Sequence, residues 1–169
     1  TLDTSLPGRL FRITAAAVGD GATLGVNAAR EPGTLALGAT ALAGDAAFEI
    51  DAGCTLAVTD VTGGEDIVKR GAGTLALAGA TADYAGDSRL EAGTLALDAA
   101  RLPRATDLHV ASGATLSLAF AGKQYVHALF VDGAPMPGGL YTTEKAAWIT
   151  GPGTLVVTYP PVGSMLFLR

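Results

Sequence analysis

Seven glycines, Gly33, Gly53, Gly73, Gly93, Gly113, Gly133 and Gly153, stand twenty residues apart along nearly the whole chain. After each except Gly133 a Thr-Leu pair follows, directly as in Gly93-Thr94-Leu95 or after one residue as in Gly113-Ala114-Thr115-Leu116. A fixed period of about 20 residues, carrying a short segment behind a glycine turn, describes a unit that must stack on copies of itself to bury its apolar side. Between Pro32 and Leu118 the segment alternates. Leu35 and Leu37, Leu56 and Val58, Leu75 and Leu77, Leu95 and Leu97, and Leu116 and Leu118 are apolar, with small or polar residues between them. Period two marks a strand with one buried face. Leu35, Leu56, Leu75, Leu95 and Leu116 are therefore expected to form an inward column, while Thr34, Thr55, Thr74, Thr94 and Thr115 face outward.

A second element precedes each glycine, with Phe48 and Ile50, Val68 and Arg70, Ser88 and Leu90, and Leu108 and Val110 at the positions five and three before it. Turn-rich stretches such as Ala43-Gly44-Asp45, Thr62-Gly63-Gly64-Glu65 and Tyr84-Ala85-Gly86-Asp87 form the corners between elements. Two or three short strands per rung, each pairing with the rungs above and below, give an all-β fold: a parallel β-helix, or solenoid, with about 20-residue rungs and a C-terminal cap.

The chain divides accordingly. Residues 1–19 read as an N-terminal cap or entry segment, with Leu6-Pro7-Gly8 as a turn and Leu10-Phe11-Arg12-Ile13 as a first strand. Residues 20–118 carry the repeats, although Asp20-Gly21-Ala22-Thr23-Leu24 precedes Gly33 by an interval too short for a full rung. Residues 119–159 are a cap excursion and last rung: Asp132-Gly133-Ala134-Pro135-Met136-Pro137-Gly138-Gly139 suits a hairpin-like turn, and the repeat returns once at Trp148–Val157. Seven of the ten aromatic residues lie beyond residue 118, which places bulky side chains where the rod must be closed. Residues 160–169 form an apolar tail. Pro160-Pro161 stops the strand, and Met165-Leu166-Phe167-Leu168 needs a surface, either the last rung of the same chain or the edge of another copy reached through residues 162–169.

Hydrophobic residues make up 49% and charged residues 16% of the chain, which separates it from disordered sequences. A net charge of -5, with Lys69-Arg70 as the only adjacent basic pair, argues against nucleic acid as a partner. No apolar run approaches the roughly 20 residues of a membrane helix. The chain starts at Thr1 without a Met or a leader, as an internal piece or a processed chain does. A single cysteine, Cys54, excludes an internal disulfide, and its spacing from Leu56 places it inward as a buried thiol.

From Ile67-Val68-Lys69-Arg70-Gly71-Ala72-Gly73-Thr74-Leu75-Ala76-Leu77 through Asp83-Tyr84-Ala85-Gly86 to Gly93-Thr94-Leu95, the chain resembles the passenger-associated, or autotransporter-associated, β-strand repeat. That family runs apolar-Lys-x-Gly-x-Gly-Thr-Leu-x-Leu, then Gly-x-Asn-x-Tyr-x-Gly and a second Gly-Thr-Leu. Asp83 stands here near the usual Asn, and flanking copies lack the Tyr. Leu129–Gly133, Gly138–Tyr141 and Ile149–Leu155 are similar to the C-terminal ends of large secreted repeat proteins. The resemblance implies a right-handed β-helix, secreted or displayed on the surface of a bacterium, that serves as stalk. It brings no activity. No outer-membrane barrel follows in this sequence, so self-transport is not expected.

No catalytic, cofactor or metal site is expected. Asp45, Glu49, Asp51, Asp60, Glu65, Asp66, Asp83, Asp87 and Glu91 sit mostly at corners, where turn geometry alone favours Asp. Convergence of Asp66 with Lys69 and Arg70, or of Asp87 with Arg89 and Glu91, is what acid/base chemistry on a polysaccharide requires. His109 and His127 lack partners at ligand spacing, and the repeat that builds calcium-binding β-rolls is absent. Tyr84, Tyr125, Tyr141 and Trp148 suit either core and cap packing or a sugar-stacking platform. The leading reading is a non-catalytic extracellular structural module, self-association being one open partner. A carbohydrate-binding or accessory domain of a polysaccharide-processing protein, with a cell-surface glycan as partner, stays open beside it.

Overall fold

A computed structural model describes residues 10–27, 33–63 and 65–159. The turn expected at Leu6-Pro7-Gly8 and the apolar tail 160–169 lie outside the described residues.

Each rung begins with a strand headed, in the regular part, by the Thr-Leu pair, and continues into a shorter second strand. In chain order the first five rungs are β1 (Leu10–Val18) and β2 (Ala22–Val26), β3 (Thr34–Leu42) and β4 (Ala46–Ile50), β5 (Thr55–Gly63) and β6 (Ile67–Arg70), β7 (Thr74–Tyr84) and β8 (Ser88–Leu90), and β9 (Thr94–Leu97) and β10 (Leu108–Val110). The sixth has three strands, β11 (Thr115–Leu118), β12 (Lys123–Val126) and β13 (Leu129–Val131). β14 (Ala134–Pro135), β15 (Gly139–Tyr141), β16 (Ile149–Thr150) and β17 (Thr154–Val157) close the described chain. The described residues contain strands and turns and no helix.

One sheet runs β1-β3-β5-β7-β9-β11-β16, a second runs β14-β13-β10-β8-β6-β4-β2, and a third runs β12-β17-β15. Every pairing along the rungs is parallel; only β14 and β15, in the closing segment, pair antiparallel. The fold is a β-solenoid, as the period requires. Leu35, Leu56, Leu75, Leu95 and Leu116 are all 5% exposed or less and lie opposite one another from rung to rung. Outside them Thr34, Thr55, Thr74, Thr94 and Thr115 form a matching half-buried column. Cys54 is buried and free, as its place in the alternation predicts.

The long strands turn a corner within themselves. In β3 the buried residues are Leu35, Leu37, Thr40 and Leu42, and in β5 they are Leu56, Val58 and Val61, so each takes one three-residue step inside a run of two-residue steps. Register shifts mark the same places, between Leu37 and Thr40 and between Thr59 and Val61. An extra residue re-aims the chain and keeps both halves facing inward. Asp60 takes a left-handed φ of 53° there, a conformation that Asp tolerates better than most residues. At the equivalent place in β1 and β3 the chains approach closely: a Cβ on Gly38 would stand 1.9 Å from the Thr14 carbonyl oxygen, so only glycine fits.

Two expectations need correction. In the second sheet Phe48 lies opposite Lys69 and Lys69 opposite Leu90, so Ile67 and Lys69 point inward, and Val68 and Arg70 point outward. The physical reason is that the rungs are not of constant length. Thr34, Thr55, Thr74, Thr94 and Thr115 are separated by 21, 19, 20 and 21 residues, and one residue of slip exchanges the faces of a short strand. The returning repeat is also placed differently. Gly153-Thr154-Leu155 does not join the Thr-Leu column: β17 pairs with β12 in the third sheet, and the two-residue β16 continues the first.

Candidate functional site

The corner that leads into the second sheet repeats an aspartate: Asp45, Asp66, Asp87 and Asp107. Each carboxylate accepts a backbone N–H from the next rung. Asp66 N–H donates to Asp45 Oδ1 at 3.3 Å, Asp87 N–H to Asp66 Oδ1 at 2.7 Å, and Asp107 N–H to Asp87 Oδ1 at 3.3 Å. Ala128 N–H ends the ladder on Asp107 Oδ1 at 3.2 Å. A carboxylate has acceptors to spare, so its second oxygen stays available for a cation. Arg89 bridges two of them, Nε to Asp66 Oδ2 at 3.2 Å and a terminal nitrogen to Asp87 Oδ2 at 3.1 Å. His109 Nε2 stands 3.5 Å from the same Asp87 oxygen, and His127 Nδ1 lies 2.7 Å from Asp107 Oδ1.

Beside this ladder, on the outer face of the second sheet, Arg89, His109 and Phe130 occupy consecutive rungs in register. The His109 and Phe130 rings stack at 4.6 Å with an interplanar angle of 6°. Their facing surfaces are spent on each other, and Pro135 lies opposite Phe130 on the antiparallel β14. A shallow depression of about 280 Å³ runs between this column and the next, bordered by Arg89, Glu91, His109 and Asp132.

These contacts decide between the arrangements that acid/base chemistry requires. Asp66 meets Arg89 rather than Lys69 or Arg70, Arg70 pairs with Glu91 at 2.8 Å, and Asp87 meets Arg89 and His109. The cluster is a chain of linked hydrogen bonds and ion pairs along the sheet, with its acceptors committed to neighbouring rungs. Chemically it can staple rungs together. Among the described residues no group of three or more His, Cys, Asp and Glu is placed to hold a metal ion.

The four aromatic candidates are not gathered on one surface. Tyr84 is 3% exposed, its hydroxyl 2.7 Å from Ser88 Oγ, and burial pushes its phenol well above the usual tyrosine range while the Ser88 bond opposes the shift. Tyr141 is likewise buried, donating to the Pro137 carbonyl at 2.6 Å, and burial raises its pKa too. Trp148 packs half-buried against the core, and Tyr125 lies 4.1 Å beneath the Arg104 guanidinium on the third sheet. The aspartate ladder was visible in the sequence only as a recurrence of Asp at corners. Its period of 21, 21 and 20 residues is the signal that marks it as one bonded feature rather than separate turns.

No helix among the described residues is long and apolar enough to cross a membrane. No curated protein and no solved structure matches the chain. Residues 67–97, from the start of β6 to the end of β9, match the family model of the passenger-associated-transport-repeat, so the resemblance read there holds and the chain is a β-solenoid that carries this repeat.

Proposed function

We propose that the chain is a non-catalytic structural module, a stalk or scaffold segment of a repeat protein secreted by a bacterium or displayed on its surface. The observation that carries this reading is the commitment of its polar side chains to the stack. The corner carboxylates accept N–H groups from the next rung, and Arg89 and the two histidines pair with those same carboxylates. A surface that works on a polysaccharide needs a groove with carboxylates free to move protons. The passenger-associated repeat at residues 67–97 supports an exported location. Burial of Tyr84 and Tyr141 argues against a sugar platform built from the four aromatic candidates.

Two measurements test the reading. Antibody against the folded chain should label intact cells of the source bacterium or its culture medium; labelling confined to permeabilised cells contradicts it. The purified chain should release no product from pectate, alginate or other uronic polymers. Turnover that Asp66→Asn or Asp87→Asn abolishes without loss of folding contradicts it as well.

A further inference from the structure

Lys69 is the only charged side chain among the buried residues described, 1% exposed, in an inward column between Phe48 and Leu90. Its Nζ donates to the carbonyls of Arg70 at 2.5 Å, Gly71 at 2.7 Å and Ala92 at 3.1 Å. Three acceptors match the three N–H bonds of an ammonium; a neutral amine would leave one unserved. Burial lowers its pKa and the Glu49 charge opposes that shift. Gly71 belongs to the corner between β6 and β7, and Ala92 to the corner between β8 and β9.

The corners into the first sheet come in two kinds, and the sequence distinguishes them. Where one residue separates the glycine from the Thr, the corner closes on itself: Cys54 N–H donates to Asp51 O at 3.0 Å, and Ala114 N–H to Ala111 O at 3.1 Å. Cys54 and Ala114, each 2% exposed, fill the inside of those corners. Where Thr follows glycine directly, at Gly73-Thr74 and Gly93-Thr94, no such bond back across the turn forms, and Gly73 N–H donates to Ile50 O of another rung at 2.8 Å, while the Thr N–H reaches the preceding rung in both kinds of corner. These are the two corners whose carbonyls Lys69 holds. They also bring in the two shortest steps of the Thr column, 19 residues into Thr74 and 20 into Thr94, whereas the self-closing corners bring in steps of 21.

We propose that Lys69 is the register pin of the 67–97 repeat: its buried ammonium takes the place of the missing turn bond in two successive corners, ties them together, and fixes where β7 and β9 begin. The side chain is in effect a cation permanently seated in a cradle of carbonyls. Its site is part of what makes this repeat different from the rungs on either side.

The test combines the intact chain with one variant. With lysine ¹⁵N-labelled, the wild-type protein should show one ammonium resonance at neutral pH whose protons exchange at least about tenfold more slowly than those of the exposed Lys123. Lys69→Met, which keeps the length and the apolar stem, should lower the melting temperature by roughly 10 °C. Amide exchange in that variant should accelerate about tenfold at residues 71–74 and 92–94, and less than about twofold in the self-closing corners at 51–54 and 111–114. A Lys69 ammonium that exchanges like a surface lysine overturns the proposal, and this holds even if the variant does not fold. So does a Met variant that melts within about 2 °C of wild type, or one whose two kinds of corner loosen equally.

Discussion

The rungs from Thr34 to Leu118 and the segment from Ala119 to Tyr159 use the same residues to opposite ends. Along the first sheet of the regular rungs like pairs with like, Thr on Thr and Leu on Leu, all parallel, and the corners beside the second sheet stack Asp on Asp. Such a surface has no natural end, because each rung presents the edge that the next one needs. Among the described residues, each sheet ends in its own way in the closing segment. β14 turns back antiparallel on β13 and carries Pro135 at the edge, β15 runs antiparallel on β17, and β16 is only two residues long before Gly151-Pro152. Proline has no N–H to offer another strand, and a short strand is a poor template. Repetition extends the rod; irregularity finishes it.

The largest effect that can separate the two faces of a regular rung is at Leu95 and Thr94. Leu95→Asp places an unpaired charge in the buried column and should cost more than about 4 kcal/mol, enough to unfold the chain, whereas Thr94→Asp on the half-buried outer column should cost about 1 kcal/mol or less. Urea denaturation of both variants checks this, and equal losses contradict the facing of the strand. Next comes the ladder. Asp66→Ala leaves the Asp87 N–H without its 2.7 Å acceptor and Arg89 with one partner fewer, a loss of about 1–2 kcal/mol in the same experiment.

Tyr84 gives a smaller loss with a pH signature. Tyr84→Phe removes the bond to Ser88 and should cost about 1 kcal/mol at neutral pH. Because the folded phenol is raised above its unfolded value, the wild-type tyrosine contributes fully below the unfolded pKa near 10 and loses that contribution as pH rises beyond it. The stability difference between wild type and Tyr84→Phe should therefore shrink above about pH 10. Lys69 and Tyr141 are common to both proteins and cancel. The smallest effect on stability, below about 0.5 kcal/mol, belongs to Pro135→Val at the exposed edge of β14, yet it restores an N–H there. Sedimentation should show more self-association than in wild type. No change would mean that the proline is not what ends the second sheet.

The features legible in the sequence were those that alternation fixes locally. Leu35 through Leu116, the outward threonines and Cys54 all follow from period two within a single strand, whatever the length of the rung. Counting back from the glycines aligns Val68 with Phe48, whereas Lys69 is its partner, because facing depends on counting across a corner and the glycine spacing of twenty conceals steps of 19 and 21 in the strands themselves. Thr154-Leu155 repeats the local pattern of Thr94-Leu95, but its partner is set by where the chain stands after β16, which no local pattern encodes. The corner aspartates were recognised as turn formers. That each accepts the next rung's N–H depends on register, and register appears only when the rungs are stacked.

Stacking of the Thr-Leu strands in one parallel register is the central claim, and a distance measured across it tests that claim most directly. Spin labels at Thr34→Cys and Thr115→Cys, in a chain with Cys54→Ala, sit four rungs apart on the same outward column. At about 4.8 Å per strand the account predicts a single narrow distance near 20 Å. A broad distribution, or a distance beyond about 35 Å, would contradict it.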